Sequence, residues 1–341
     1  MRNYIHLIPA FVGLALLTAC SESGHDIIPP SEDTRTVPVR FDALAQWDAD
    51  TQTTRLVNGT DGKTVAFSQG DVIGVFASLN SSPEPDFMND QKTVFDGSSW
   101  NYSPLKYWPQ DEKETLSFKA YYPYADTSPQ ISMSYADNGT PNVTYDNTKA
   151  DIDWMAAKSS AVSHNSGKDG ITFNFKHLLA KVRFKFTVMD EDASEDYRPV
   201  VHLLQYDAPH IIGTTKFENS TDTNIIYDKS NKTDLITIKR FVSKPEGVNV
   251  SKDGTLIDEF TAYLFPCSFP CDGNASTIGS FTISLNNVEH KVTVGEKMIT
   301  VERGKSYTVN FNIKKTGTTT NFFITSYSIW EDGGEYEGTL E

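Results

Sequence analysis

Along much of the chain, apolar and polar side chains alternate with a period of two. The clearest run is Val182-Arg183-Phe184-Lys185-Phe186-Thr187-Val188, whose alternation directs one face into a core and the other to water. Tyr307-Thr308-Val309-Asn310-Phe311-Asn312-Ile313 repeats it. Shorter runs rich in Val, Ile, Phe, Tyr and Thr predict strands at Val72 to Ala77, Leu116 to Tyr122, Ile171 to Phe175, Val200 to Gln205, Ile236 to Phe241, Phe260 to Phe265, Phe281 to Leu285, Val288 to Val294 and Phe322 to Trp330. Asn, Asp, Gly, Ser and Pro separate these runs at intervals typical of sandwiches, and Asn286-Asn287 is placed to turn a hairpin. No extended segment keeps apolar residues at i, i+3, i+4 and i+7, so no long amphipathic helix is expected. The pattern is all-β.

Where alternation stops, the chain divides. Residues 21–36 are polar and turn-rich, too poor in apolar side chains to fold, and read as a tether; order begins near Val37. The polar, glycine-containing stretch from Ser159 to Gly170 separates strand-like Trp154-Met155-Ala156-Ala157 from Ile171-Thr172-Phe173-Asn174-Phe175. It predicts an N-terminal β-sandwich domain over 37–168 and a C-terminal one over 169–341, and 341 residues suit two domains.

The N-terminus departs from the alternating pattern. Arg2 precedes an apolar run from Phe11 to Leu17, closed by Leu17-Thr18-Ala19-Cys20. This is a bacterial lipobox: it predicts a signal peptide over 1–20 and a diacylglycerol on the Cys20 thiol that holds the protein at a membrane. No later stretch approaches the roughly 20 apolar residues of a membrane-spanning helix. A formal charge of −15, with no basic stripe to offset it, excludes nucleic acid as a partner. Beyond Cys20, only Cys267 and Cys271 remain, in Cys-Ser-Phe-Pro-Cys. An oxidising compartment permits a disulfide between them, and two free thiols are the alternative.

Enzymatic chemistry finds little footing. The chain has no Gly-x-Ser-x-Gly elbow, His-Glu-x-x-His helix, Walker loop or Gly-x-Gly-x-x-Gly turn. His202, His210 and His290 are scattered without ligand spacing, and His164 falls in the boundary stretch. His177, beside Leu178-Leu179, is read as a structural histidine with a catalytic role as the alternative. The acidic pairs Asp151/Asp153 and Glu331/Asp332 are read as solvated loop charge among 45 acidic residues. No metal and no cofactor is expected. Tyr102, Tyr107, Trp108, Tyr121, Tyr122 and Tyr124 suit either core packing or an exposed platform for host or dietary glycan, the second implying a monomeric surface lipoprotein.

Several segments, in order, resemble the fimbrillin family of fimbrial subunits from anaerobic gut and oral bacteria. They are the lipobox; Phe67-Ser68-Gln69-Gly70-Asp71-Val72-Ile73-Gly74-Val75-Phe76; Lys106-Tyr107-Trp108-Pro109 followed by Phe118-Lys119-Ala120-Tyr121-Tyr122-Pro123; Asp153-Trp154-Met155-Ala156; Phe175-Lys176-His177-Leu178-Leu179-Ala180-Lys181-Val182; and Ile329-Trp330-Glu331-Asp332-Gly333-Gly334. The resemblance implies two tandem transthyretin-like β-sandwich domains, export as an outer-membrane lipoprotein and a place in a surface fimbria with other fimbrial subunits as partners. It also implies assembly by donor-strand exchange after an arginine-specific protease removes an N-terminal strand. Here that strand is Val37 to Gln46, with Val39, Phe41 and Ala43 on one face. Cleavage is expected after Arg55, in polar Thr51-Gln52-Thr53-Thr54-Arg55, the alternative being an ordinary surface arginine. The incoming strand of stalk subunits of the family comes from the C-terminal region, here Asn321 to Glu341 with Phe322 and Ile324; the tail after Trp330 is short and acidic for a stalk subunit, which leaves a tip or anchor place as the alternative.

Overall fold

A computed structural model describes residues 37–46, 64–65, 67–148, 152–189, 198–217, 226–269, 280–293, 299–315, 322–331 and 334–339. The first half contributes β1 (Phe41–Gln46), β2 (Thr64–Val65), β3 (Val72–Leu79), β4 (Met88–Phe95), β5 (Trp100–Asn101), β6 (Thr115–Tyr122), β7 (Ile131–Tyr135), β8 (Pro141–Asp146), β9 (Met155–Lys158), β10 (Val162–Ser163) and β11 (Ile171–His177). The second contributes β12 (Ala180–Val188), β13 (Val200–Lys216), β14 (Ile226–Phe241), β15 (Val248–Asn249), β16 (Thr255–Leu256), β17 (Ala262–Leu264), β18 (Cys267–Phe269), β19 (Ser280–Leu285), β20 (Val288–Thr293), β21 (Ile299–Val301), β22 (Ser306–Lys315), β23 (Phe322–Glu331) and β24 (Gly334–Thr339). Helix among the described residues is limited to short turns such as α1 (His164–Gly167) and the 3-10 turn Asp258–Phe260.

Nine strands of the first half form one sheet in the order β2-β1-β11-β9-β6-β3-β4-β5, with β10 on β6. Its alternation is visible in β6, where Leu116, Phe118 and Ala120 enter one core while Tyr121 enters another on the opposite face. The sheet curls until its ends meet. The Val39 N–H donates to the Lys106 carbonyl at 2.9 Å, the Trp108 N–H donates to the Val37 carbonyl at 3.2 Å, and the Phe67 and Trp100 rings lie 5.0 Å apart. One face therefore encloses its own core.

In the second half, the sheet β16-β12-β22-β23-β24, with β17 on β12, shares a core with β13, β19 and β20 of a second sheet. The strict alternation of β12 and β22 gives that core Val182, Phe184, Phe186, Val309, Phe311 and Ile313, and the Phe186 and Phe311 rings stack at 5.3 Å. Asn286 and Asn287 both adopt positive φ and turn the β19–β20 hairpin as expected. Phe260 to Phe265 is not a continuous strand. Phe260 and Ala262 are buried but Asp258 and Glu259 are exposed, so a 3-10 turn precedes β17.

The two halves are interleaved. β7 and β8 of the first half join the sheet of the second, because 17-residue β13 runs past its own sandwich and pairs its far end, Ile212–Lys216, with β8. At the irregularity between Pro209 and Ile211 the Asn147 amide brackets the backbone, donating from Nδ2 to the Pro209 carbonyl and accepting from the Ile211 N–H, each at 2.9 Å. A third core fills the join with Phe76 and Tyr121 from the first sheet, Tyr145 from β8, Ile211 from β13, and Trp154, Leu178, Leu179 and Phe265. Gly213 permits the approach, since a Cβ there would stand 2.6 Å from the Phe265 ring and 2.9 Å from Trp154. The stretch from Ser159 to Gly170 carries β10 and α1, and the strand after it, β11, pairs with β9 and β1 of the first sheet.

Candidate assembly site

β1 holds Phe41 and Ala43 of the expected assembly strand, and Val39 lies just ahead of it. The strand lies parallel to β11 in an unbroken register from Phe41↔Ile171 to Gln46↔Lys176, and among the described residues its other side meets β2 at Ala45 and Gln46. Its side chains are core: Val39, Phe41, Ala43 and Ala45 are 1%, 7%, 7% and 3% exposed and share one cluster. The expected common face of Val39, Phe41 and Ala43 is what the alternation produces. Phe41 stacks on Phe173 at 5.4 Å and meets Tyr102 at 5.5 Å and Phe118 at 5.7 Å. Tyr102 clamps the entry to the strand by donating its Oη to the Val39 carbonyl at 2.7 Å, and burial pushes its phenol pKa above the ordinary value. Taking β1 away leaves a groove floored by Phe173 and Phe118, beside the outward backbone groups of β11.

The last strands extend the second half's sheet. β23 pairs antiparallel with β22, from Tyr307↔Glu331 to Lys315↔Phe322, and Ile324 stands opposite Ile313. β24 turns back and pairs with β23 from Glu331↔Gly334 to Ser326↔Thr339, which makes it the outermost strand. Phe322 and Ile324 thus belong to a strand held in the chain's own sheet. Cys20, Arg55 and Cys271 lie outside the described residues, and Cys267 opens β18 opposite Val301.

Residues 54–326 match the fimbrillin-like family model. The chain belongs to the fimbrillin-like family. A curated relative, the fimbrium subunit Fim1C of Phocaeicola vulgatus, is 24% identical over 310 residues, covering 78% of this chain and 80% of that protein. Two crystal structures share the fold at a TM-score of 0.50: one from Bacteroides ovatus, 14% identical and covering 87% of this chain and 99% of its own, and one from Bacteroides uniformis, 17% identical and covering 86% and 98%. Both are described provisionally as cell adhesion proteins.

In this fimbrillin-like chain the remaining sequence candidates take structural places. His177 ends β11 at the join of the halves, where its Nδ1 lies 2.8 Å from Asp153 Oδ1 and both side chains are buried. The aromatic set does not form an exposed platform. Trp108, Tyr121 and Tyr124 are buried; Tyr121 donates to Asp90 at 2.8 Å and half-buried Tyr122 to Asp71 at 3.1 Å. Burial is the main cause raising both phenols, with the neighbouring carboxylates adding to it. The sequence reading did not single out Lys119, a buried amine with no hydrogen-bond partner among the described residues. Burial, aided by repulsion from Lys158, lowers its pKa to about 8.

Proposed function

We propose that this chain is a structural subunit of a surface fimbria, exported as a lipoprotein, held at the outer membrane by a diacylglycerol on Cys20, and assembled by exchange of its first strand. Its role is mechanical rather than catalytic. The observation that carries the reading is β1, whose one continuous ladder among the described residues is to β11 and whose side chains are core. In this reading an arginine-specific protease cuts after Arg55, β1 leaves with Val39, Phe41 and Ala43, and an extended segment of another subunit refills the groove. Such a segment regains the ladder with β11 and seats alternate side chains on Phe173 and Phe118, so its release is slow. The incoming segment corresponds to residues 321–341 of a neighbour, with Phe322 and Ile324 as its apolar teeth. Because β23 is paired along β22, the chain accepts a strand more easily than it gives one.

The same reading treats the halves as two tandem transthyretin-like domains, with the division set after β11 rather than at 168/169. Support comes from a repeated device: the first strand of each half lies parallel to a late one, β1 on β11 and β12 on β22.

The test uses the chain from Ser21 onward, digested with an arginine-specific protease and followed by native mass spectrometry. Cutting after Arg55 should permit a synthetic 321–341 peptide to displace the fragment carrying residues 37–46, and the same peptide with Phe322→Ala and Ile324→Ala should displace it far more slowly. A chain that resists cutting at Arg55, or that retains its fragment against excess peptide, overturns the reading.

A further inference from the structure

The outer face of the first sheet, where the second half packs, holds buried polar atoms that the fold does not itself satisfy. In β3, Val75 and Ala77 enter one core, so Phe76 and Ser78 face the other way; in β6, Phe118 and Ala120 enter that same core and leave Lys119 on the outer face. Phe76 stands opposite Lys119 in the ladder. Ser78 is therefore the diagonal neighbour of Lys119, about 7–8 Å away and within the span of a lysine chain. Lys119 Nζ and Ser78 Oγ are both buried, and neither has a hydrogen-bond partner among the described residues.

A third such atom comes from the layer above. Thr215 of β13 is fully buried, and its Oγ1 also lacks a partner among the described residues. Its place follows from its neighbours on the same face of β13. A Cβ on Gly213 would stand 2.9 Å from Trp154, which leads into β9, and the Phe217 ring lies 6.2 Å from that of Phe76 in β3. β6 runs between β9 and β3, so Thr215 lies over β6, the strand of Lys119. The charge that acts on Lys119 is no counter-ion. Lys158, opposite it in β9, is a second cation on the same face.

We infer that Lys119, Ser78 and Thr215 form a binding site for a small inorganic anion of chloride size, enclosed between the first sheet and β13. The donor set suits that class of ligand: an ammonium supplies charge and N–H donors, and two hydroxyls can turn their O–H groups toward the same point. Enclosure sets the size, because Lys119, Ser78 and Thr215 are 5%, 1% and 0% exposed, too closed for a sugar or a peptide. A bound anion offsets the cost of burying the ammonium and weakens its repulsion from Lys158. It also ties β3 and β6 of the first half to β13 of the second. The site uses no residue of β1 and goes beyond the strand exchange proposed above.

The experiment is thermal unfolding of the uncut chain from Ser21 onward at pH 7, in sodium chloride and in sodium gluconate of equal ionic strength, since the bulky gluconate screens charge without fitting the site. The expected result is a melting temperature that rises with chloride by several degrees more than with gluconate. Lys119→Met should melt alike in both salts, so that its advantage over the unaltered chain shrinks as chloride replaces gluconate. Ser78→Ala should raise the chloride concentration needed for half the effect about tenfold. Crystals of the unaltered chain soaked in bromide should give an anomalous peak within hydrogen-bonding distance of Lys119 Nζ. Equal melting in the two salts, a chloride response that Lys119→Met retains, or a bromide-soaked crystal with water at that place overturns the inference. Since no cleavage is involved, resistance at Arg55 would remove the strand-exchange reading without touching this one.

Discussion

At the scale of single residues, alternation marked the side chains that hold β1. Val39, Phe41 and Ala43 fall on one face because a strand offers only two, and the apolar face enters the core. Phe41, pressed by three aromatic rings, is the anchor: Phe41→Ala should cost about 3–5 kcal/mol in denaturant unfolding. Lys119 was not legible for a related reason. In Leu116-Ser117-Phe118-Lys119-Ala120 it occupies a polar position, which the pattern assigns to water, but that face is covered by the second half. Its amine falls from an ordinary 10.5 to about 8 in the folded chain. Between those values the unfolded chain binds more protons, so stability rises with pH from 8 to 10.5 and the charged amine is a burden below pH 8. Lys119→Met should therefore be the more stable protein at pH 7 and should lack that rise, as thermal melts across pH will show. The buried Asp153–His177 contact gives the opposite outcome, with His177→Ala expected to lose about 3 kcal/mol in denaturant titration because it leaves a carboxylate without its partner.

Among the elements, β12, β22 and the β19–β20 hairpin could be read directly because their cores are built from their own alternation. β13 and β14 could be read only in part. The sequence predicts Val200 to Gln205 and Ile236 to Phe241, whereas the strands extend through Asp207, His210 and Thr214 on one side and Asp228 to Lys232 on the other. The extension of β13 is partnered by β8, which is distant in sequence, and the extension of β14 follows that of β13. Pairing across such distance leaves no local trace, and β8 went unread with it; β4, whose Asn89, Asp90, Gln91 and Lys92 break the apolar alternation, also went unread. The parallel bed of β1 was equally invisible. Gly213 tests the join of these elements: Gly213→Val drives methyl groups into Phe265 and Trp154 and should lower the melting temperature severely.

For the whole molecule, the interleaved sheet and the third core make the halves interdependent. Calorimetry should record one cooperative transition, and Trp154→Ala, which removes the ring stacked on Tyr145 at 5.5 Å, should broaden it or split it in two. The parallel pairs have a further consequence for a protein under tension. Because β1 and β11 run in the same direction, a pull that drags the start of β1 away from the end of β11 slides the strands past each other. Every rung of the ladder then shares the load at once, where an antiparallel pair pulled from one end would open rung by rung. β12 and β22 repeat the arrangement over a longer register, from Lys181↔Ser306 to Val188↔Ile313. Stretched from its two ends, the first half resists as a clamp in shear, and any strand that takes the place of β1 in the same direction inherits that strength.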